Sequence, residues 1–182
     1  MDGQVTLRPV LEYDLSWLAS LASGPAATGP YEWHGWSGPH GLRRSWEESG
    51  LLGDDGGVLV VLHGTDRVGV VDWGKVQTGR TASSWDIGIG LMPEFRGRGY
   101  GSEAQQLLVR YLFAHTAVNR VEAITEVGNV AEQRALEKAG FTREGILRGR
   151  SFRQGRYRDD LIYSVLRQEV KIEDSASEDG TV

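Results

Sequence analysis

Glycine and arginine alternate in a short stretch near the middle of the chain: Arg96, Gly97, Arg98, Gly99, Tyr100, Gly101, Ser102. The stretch follows an alternating segment at 85–92. It precedes an apolar stripe with helical spacing that is predicted to be buried and consists of Ala104, Leu107, Leu108, Tyr111 and Leu112. A strand–turn–helix of this kind leaves backbone N–H groups unpaired at the positive end of a helix dipole, which suits a phosphate. The two arginines add charged, forked donors for phosphate oxygens. The pattern therefore predicts a site for a phosphorylated ligand.

Two familiar phosphate loops do not fit this stretch. A Walker A loop needs Gly-Lys-Ser/Thr before its helix, and the stretch has no lysine. A dinucleotide fingerprint counted from Gly97 would place Ser102 where Gly or Ala is required. The remaining pattern, Arg-Gly-x-Gly-x-Gly, resembles the pyrophosphate loop with which the GNAT superfamily of N-acetyltransferases binds acyl-CoA. A glycine-rich connection that only caps a helix is the simpler alternative.

The resemblance continues downstream. Asn129, the helical segment after it and the run 137–141 are similar to a second GNAT element. The runs 145–148 and 155–159, together with 7–9, are similar to the RimJ/RimL-like branch, so the resemblance covers roughly 5–167. It implies acetyl-CoA as co-substrate and direct attack by a primary amine in a ternary complex. The amine would belong to a small molecule, an antibiotic or a peptide N-terminus. A non-catalytic acyl-CoA sensor on the same fold is the alternative.

Two carboxylates are candidates for the base that such an amine needs. Asp86 shares a strand face with Gly88 and Gly90, where missing side chains leave room for an acyl group and an amine. A structural hydrogen bond at the strand end would explain Asp86 equally well. Asp72, on a second predicted strand, ranks behind it.

The resemblance also assigns the co-substrate contacts. It implies that the amides of Leu91 and Met92 hold the thioester carbonyl, that residues 96–102 hold the pyrophosphate, and that Asn129 contacts the pantetheine arm or only caps its helix. Where the family places a Tyr or a Ser to protonate the leaving thiolate, this chain has Leu136 and Glu132. A capping box with Asn129 explains Glu132 better than catalysis does. The proton donor is therefore unassigned.

An aromatic segment precedes the first predicted hairpin: Tyr31, Trp33, His34 and Trp36 lie where the family builds its acceptor pocket. Aromatic rings can wall an amine site and offer cation–π contacts. A loop that folds its own aromatic rings onto the core is an equally good explanation. The histidines show no ligand spacing, so we expect no metal site.

Regular elements must position these residues. Strands are predicted at 5–9, 58–63, 68–73, 85–92, 121–127, 141–147 and 161–166, and helices at 42–52, 102–115 and 130–138, with Asp14 capping a further helix. This order predicts an α/β (α+β) fold with a mixed, mostly antiparallel sheet of six to seven strands flanked by helices. The resemblance implies a GNAT fold whose strands splay at the acyl-CoA site. We expect a single domain at 1–168 and an acidic, disordered tail at 169–182.

Composition narrows the function further. The net charge of −5 argues against nucleic-acid binding and is compatible with a cationic substrate. The absence of cysteine excludes disulfides and thiolate chemistry. We expect a cytoplasmic protein without membrane contact, because neither a secretory signal nor an apolar run of about 18 residues is visible. The oligomeric state stays open, with a homodimer as one option.

Overall fold

The computed structural model describes residues 3–33, 35–36, 38 and 40–171. Within these ranges the strands are β1 Val5–Pro9, β2 Leu52–Gly53, β3 Gly56–His63, β4 Asp66–Gln77, β5 Ser83–Leu91, β6 Arg120–Glu126, β7 Thr142–Arg153 and β8 Arg156–Leu166. The α-helices are α1 Leu15–Leu21, α2 Pro25–Thr28, α3 Gly41–Ser49, α4 Tyr100–His115 and α5 Val130–Lys138. Short 3₁₀ turns lie at Glu12–Asp14, Pro93–Phe95 and Arg167–Glu169.

The described strands form one sheet in the order β1-β3-β4-β5-β6-β8-β7, with β2 paired to β3. All neighbours are antiparallel except β5 and β6. This confirms the mixed, mostly antiparallel sheet flanked by helices. The sheet gains the short β2, and β7 and β8 are longer than predicted because they form a hairpin whose turn places Gln154 and Gly155 at positive φ.

The parallel pair β5–β6 is short. Its paired residues are Trp85 with Val121 and Asp86 with Glu122, whereas β5 continues to Leu91 and β6 to Glu126. Beyond Asp86 the two strands therefore diverge, as the resemblance implied. The edge of β5 that faces β6 is left open along this length.

Helix α4 packs against the sheet with a face slightly rotated from the predicted one. Ala104, Leu108 and Leu112 are buried as expected. The prediction that Tyr111 is buried was wrong: it is 40% exposed, and its ring lies edge-on to Trp73 at 5.9 Å. A tyrosine at the rim packs its ring while its hydroxyl stays in water. The fully buried positions include a polar residue, Gln105.

Asp14 does not cap α1, contrary to the prediction. Its carboxylate is fully buried and accepts from Arg8 at 2.6 and 3.0 Å, from Arg67 at 3.2 Å and from the amide of Leu11 at 2.9 Å. A buried carboxylate needs such partners, and two guanidinium groups satisfy it better than one helix amide. Asp14 therefore joins β1, β4 and the start of α1.

The predicted second helix ends earlier than residue 52. Gly50 adopts φ 64°, a left-handed conformation that closes α3 at Ser49.

At the other end of the chain, Val170 packs against the core. Residues 172–182 of the predicted acidic tail lie outside the described residues. Among the helices that the structure describes, none has both the length and the apolar character of a membrane span.

Candidate active site

Two connected cavities lie where β5 and β6 diverge. The larger, of about 940 Å³, is lined by β5 from Ile87 to Leu91 and by β6 from Ala123 to Glu126. The smaller, of about 490 Å³, extends along the glycine-rich turn and the first residues of α5. The residues common to both are Thr28, Tyr31, Glu32, Ile89, Leu91, Arg96, Asn129 and Glu132. The cavities thus meet between the end of β5 and the start of α5.

The glycine-rich turn forms the floor of the smaller cavity. Gly97 and Gly99 have φ of 75° and 90°, values that favour glycine, and a Cβ added at either would meet nothing within 4 Å. The amide of Arg96 donates to Pro93, and the amide of Glu103 donates to Gly99. The amides between them belong to the turn and to the first turn of α4, where helix N–H groups lack intrahelical partners. Gly97, Gly99, Gly101 and Ser102 all line the cavity, an arrangement that fits a bound phosphate.

The two arginines of the turn differ. Arg96 donates from Nε to the carbonyl of Leu91 at 2.9 Å and from Nη2 to the carbonyl of Thr28 at 3.1 Å. It therefore fastens the end of α2 to the end of β5. Arg98 lies over the ring of Phe95 at 5.6 Å and is exposed. The side chain of Tyr100 stacks on His63 at 4.4 Å, so its ring packs on a neighbour within the protein.

Only one of the two predicted carbonyl-binding amides faces the gap. The amide of Met92 donates to the carbonyl of Val68 at 3.0 Å, so it belongs to the β4 side of the sheet. Because antiparallel pairs alternate, Leu91, which stands opposite Gly69, directs its N–H away from β4 and toward the open side. The side chain of Met92 accepts a hydrogen bond from Nε1 of Trp17 at 3.3 Å. Leu91 is the donor available to a ligand.

Asp72 and Asp86 lie on the same side of the sheet. Asp72 stands opposite Gly88, and it lines the larger cavity, where the surrounding walls raise the pKa of its carboxyl. Asp86 is half-buried two residues before Gly88, and its Oδ1 has no hydrogen-bond partner among the described residues. Burial, and then the charge of Glu122, raise the pKa of Asp86 to about 6. The pKa values of both predicted carboxyls are thus raised toward neutral pH, which suits a base that works near neutral pH.

Glu32 is a titratable residue of this site that the sequence analysis missed. It lines both cavities, and the walls around it raise its pKa to about 7, with Glu132 and Asp72 adding to the rise and Arg96 opposing it. Its side chain remains exposed to the water of the open cleft, so a bound ligand that displaced this water would strengthen the effect. Its position within the aromatic segment 31–36 was the feature of the sequence that could have identified it as a site residue.

The aromatic segment reaches the cleft in part. The hydroxyl of Tyr31 donates to the carbonyl of Gly128 at 2.7 Å, and Tyr31 lines both cavities. Trp36 is 79% exposed, lines the larger cavity and contacts Trp33 edge-on at 4.9 Å. His34 lies outside the described residues. Tyr31 thus joins the aromatic segment 31–36 to the residues that follow β6, while Trp36 lies at the outer wall of the larger cavity.

The predicted capping box at α5 is half correct. Oδ1 of Asn129 accepts from the amide of Glu132 at 3.4 Å, which confirms the cap. The reciprocal bond was predicted wrongly: the amide of Asn129 donates to the backbone carbonyl of Glu126, and the carboxyl of Glu132 accepts from Nε2 of Gln105 instead. Both Asn129 and Glu132 line the two cavities. Burial raises the pKa of Glu132, although the bond from Gln105 opposes the rise.

Residues 4–142 match the family described as acetyltransferase (GNAT) domain. This chain belongs to the GNAT family. The sequence resemblance to that superfamily is thereby confirmed. The chain is also similar to the uncharacterized N-acetyltransferase YoaA of Bacillus subtilis (strain 168), with 33% identity over 82 residues, which are 45% of this chain and 46% of YoaA. The matched segment thus spans about half the length of this curated relative.

Solved structures show the same fold. The spermidine N-acetyltransferase of Vibrio cholerae in complex with CoA and spermine superposes with a TM-score of 0.76 at 20% identity, covering 91% of this chain and 97% of the other. RimJ of Mycobacterium smegmatis in complex with CoA-disulfide gives a TM-score of 0.76 at 22% identity, covering 92% of this chain and 84% of the other. The splayed strands and the glycine-rich turn described above thus belong to a GNAT fold.

Several carboxylates line the larger cavity. Among the described residues, no group of three His, Asp or Glu side chains could hold a metal ion. Two of these carboxylates have side-chain partners: Asp160 bonds Ser151 and Arg150, and Glu126 bonds Arg153 at 2.6 and 2.8 Å.

Proposed function

We propose that this protein is an acetyl-CoA-dependent N-acetyltransferase in which a primary amine attacks the thioester directly within a ternary complex. The observation that carries the proposal is the divergence of β5 from β6, which opens the strand edge that the amide of Leu91 faces, where the two cavities meet. A preorganised donor at that position can stabilise the oxyanion that forms during acyl transfer.

The smaller cavity suits the acetyl-CoA. The amides of the glycine-rich turn offer donors for the pyrophosphate, and Asn129 stands at the wall along which the pantetheine arm would extend. The exposed guanidinium of Arg98 is not among the lining residues but lies beside this turn, where its charge would attract the pyrophosphate. When bound, acetyl-CoA supplies an activated acyl group. Residues of this chain hold it, orient it and exclude water.

The larger cavity suits the amine. An amine with a pKa of about 10 arrives protonated and must lose a proton before it attacks. Asp72 and Glu32 line this cavity, whereas Asp86 lies on the same side of the sheet but is not among the lining residues. A water molecule would therefore relay the proton from the amine to Asp86, whose pKa is raised by burial. The same carboxylates attract a cation.

The fold neighbours support an amine acceptor. One of them is a spermidine N-acetyltransferase in complex with CoA and spermine. We infer that the acceptor of this chain is a primary amine of a small molecule or a peptide N-terminus, and that the protein works in the cytoplasm.

The test is CoA release from acetyl-CoA with separate amine classes: a polyamine, an amino sugar antibiotic and a peptide with a free N-terminus, each product identified by mass spectrometry. The proposal expects turnover with at least one class. Calorimetric binding of acetyl-CoA without turnover in any class would instead establish a sensor. Absence of both binding and turnover would overturn the assignment of the cleft.

A further inference from the structure

Strand β7 is interrupted where it borders the larger cavity. Between its pairs with β8 at Leu147 and Ser151, β7 has the three residues 148–150, whereas β8 has only Asp159. Gly149 adopts φ 60°, and its amide donates to Oδ1 of Asp159 at 2.8 Å. A bulge of this kind redirects the side chains next to it, and bulges are frequent beside active sites. The residue after Gly149 is therefore released from the regular alternation of the strand.

That residue is Arg150, which lines the larger cavity together with Ser151 and Asp160. Its side chain is 47% exposed, and its Nη1 contacts Oδ2 of Asp160 at 3.4 Å. Asp160 is buried, and the same Oδ2 accepts from the hydroxyl of Ser151. A guanidinium has five N–H donors. The single contact with Asp160 therefore orients Arg150 and leaves most of its donors to a ligand.

Arg150 is the less engaged of the two arginines in this cavity. Among the described residues that line the larger cavity, the only other cation is Arg96. Arg96 donates from Nε to the carbonyl of Leu91 and from Nη2 to the carbonyl of Thr28. A half-exposed guanidinium in a pocket presents a planar fork of donors, which matches the two oxygens of a carboxylate.

The charge of Arg150 also reaches the side of the cleft where the amine must lose its proton. Burial, and then Glu122, raise the pKa of Asp86, and the charge of Arg150 opposes this rise. Asp72 and Glu32 line the same cavity and suit the ammonium form of an acceptor. The larger cavity therefore offers carboxylates to an amine and, from β7, a guanidinium to an anion.

We propose that Arg150 binds a carboxylate of the acceptor, so that the acceptor is a primary amine that itself carries a carboxylate. This rests on the proposed acetyl transfer and names the substrate class of the same site. The carboxylate belongs either to a free amino acid or to an acidic side chain near the N-terminus of a peptide. Both sources present the same planar anion to the guanidinium. A polyamine has no anionic group for Arg150, and its positive charges are repelled by it.

The first experiment compares acceptors that differ in one negative charge. The pairs are alanine with alaninamide, and the C-terminally amidated peptides Ala-Glu-Ala-Ala with Ala-Gln-Ala-Ala, with spermidine as a polyamine. CoA release at pH 8, with rates referred to the unprotonated amine, gives kcat/KM. We expect the carboxylate form of at least one pair to be favoured about tenfold or more, and that pair identifies the source of the carboxylate. No preference in either pair, or a higher kcat/KM for spermidine than for both carboxylate acceptors, would overturn the proposal.

Variants of the arginine supply the second measurement. Arg150→Gln should lower kcat/KM for the carboxylate acceptor about tenfold and leave that for its neutral counterpart within about twofold. Arg150→Lys keeps the charge beside Asp160 but loses the fork, so we expect an intermediate preference, which also tests the proposal if the glutamine variant does not fold. Arg148→Gln is the matched control, because Arg148 is exposed on the same strand and lines neither cavity. If Arg150→Gln keeps the wild-type preference, or Arg148→Gln loses it to the same extent, Arg150 does not bind the carboxylate.

Binding of the reaction products reads the same subsite without turnover. Saturation-transfer NMR of the CoA complex compares N-acetylalanine with N-acetylalaninamide, and the two N-acetylated peptides with each other. We expect the carboxylate product to bind with a Kd about tenfold lower in the wild type and in Arg148→Gln, and no difference in Arg150→Gln. Equal binding of charged and neutral products to the wild type would overturn the subsite, even if amines turn over. If the carboxylate products bind as expected but no amine releases CoA, the proposed acetyl transfer fails while the carboxylate subsite stands.

Discussion

The carboxylate of Asp72 occupies the space over Gly88: a Cβ added at Gly88 would lie 2.8 Å from Oδ2 of Asp72. The two residues face each other across β4 and β5. The absence of a side chain at position 88 is thus what allows a carboxylate to stand inside the cleft. The same face of the sheet carries Asp86 and Gly90.

Gly88→Ala tests this relationship. The methyl group would push the Asp72 carboxylate away from its position, so we expect kcat/KM to fall about tenfold or more while the melting temperature changes little. Gly74→Ala is the matched control, because a Cβ at Gly74 of β4 meets nothing within 4 Å. Equal activity of the two variants would show that the position of Asp72 does not matter to the reaction.

The pH dependence of kcat/KM identifies the base. A base must be ionised, so activity rises with pH through its pKa: about 6 for Asp86 and about 7 for Glu32. With rates referred to the unprotonated amine, we expect a rise centred near pH 6. Asp86→Asn should lose it, with kcat/KM down about 10²-fold, and Glu32→Gln should retain it. A rise near pH 7 that disappears in Glu32→Gln would assign the base to Glu32.

Local patterns in the sequence were sufficient to predict the strand, turn and helix of the segment 85–115, and also α5. The alternation of β5, the glycine-rich turn and the cap at Asn129 depend on neighbours within a few residues, so the sequence predicts them. The divergence of β5 from β6 was implied by the family resemblance alone, because strand pairing is a non-local property.

The parts of the site that the sequence did not predict also depend on contacts between segments that are distant in the chain. The surroundings of Glu32 come from the facing β5 and α5, and the carboxyl of Glu132 accepts its hydrogen bond from Gln105 on α4. Asp14 looked like a cap because Ser, Thr, Asp and Asn before a helix usually are caps, but Arg8 and Arg67 reach it only in the folded chain. Helical spacing also cannot tell whether Tyr111 or Gln105 faces the core.

The ion pairs of the buried Asp14 should make the stability of the fold depend on pH in the acid range. Burial would raise the pKa of Asp14, but hydrogen bonds from Arg8, the Leu11 amide and Arg67 outweigh it, so the pKa lies below the ordinary value of 3.8. The unfolded chain therefore takes up this proton first as the pH falls, and the stabilisation present above about pH 4 is lost below it.

Asp14→Asn should lower the free energy of unfolding by about 3 kcal/mol at pH 7, because it leaves Arg8 without its buried partner. The difference from the wild type should shrink at about pH 3, as measured by chemical denaturation. Glu12→Gln is the control, since the pair of Glu12 with Arg43 is exposed and contributes less than about 1 kcal/mol. Equal losses at both pH values would contradict a role for the Asp14 charge.

Substitution of the two arginines of the glycine-rich turn should have different effects on ligand binding. Arg98→Gln removes an exposed guanidinium beside the turn, so we expect the Kd for CoA to rise about tenfold at low salt and less at high salt, because screening weakens an exposed charge. Arg96→Gln breaks the bonds to the Leu91 and Thr28 carbonyls, which join the end of β5 to the end of α2 in the wall of the larger cavity. We expect it to change the Kd for CoA less than about threefold and to raise KM for the amine. Calorimetry at two salt concentrations and steady-state kinetics measure both effects. A salt-dependent loss of CoA binding in Arg96→Gln equal to that in Arg98→Gln would show instead that Arg96 holds the phosphates.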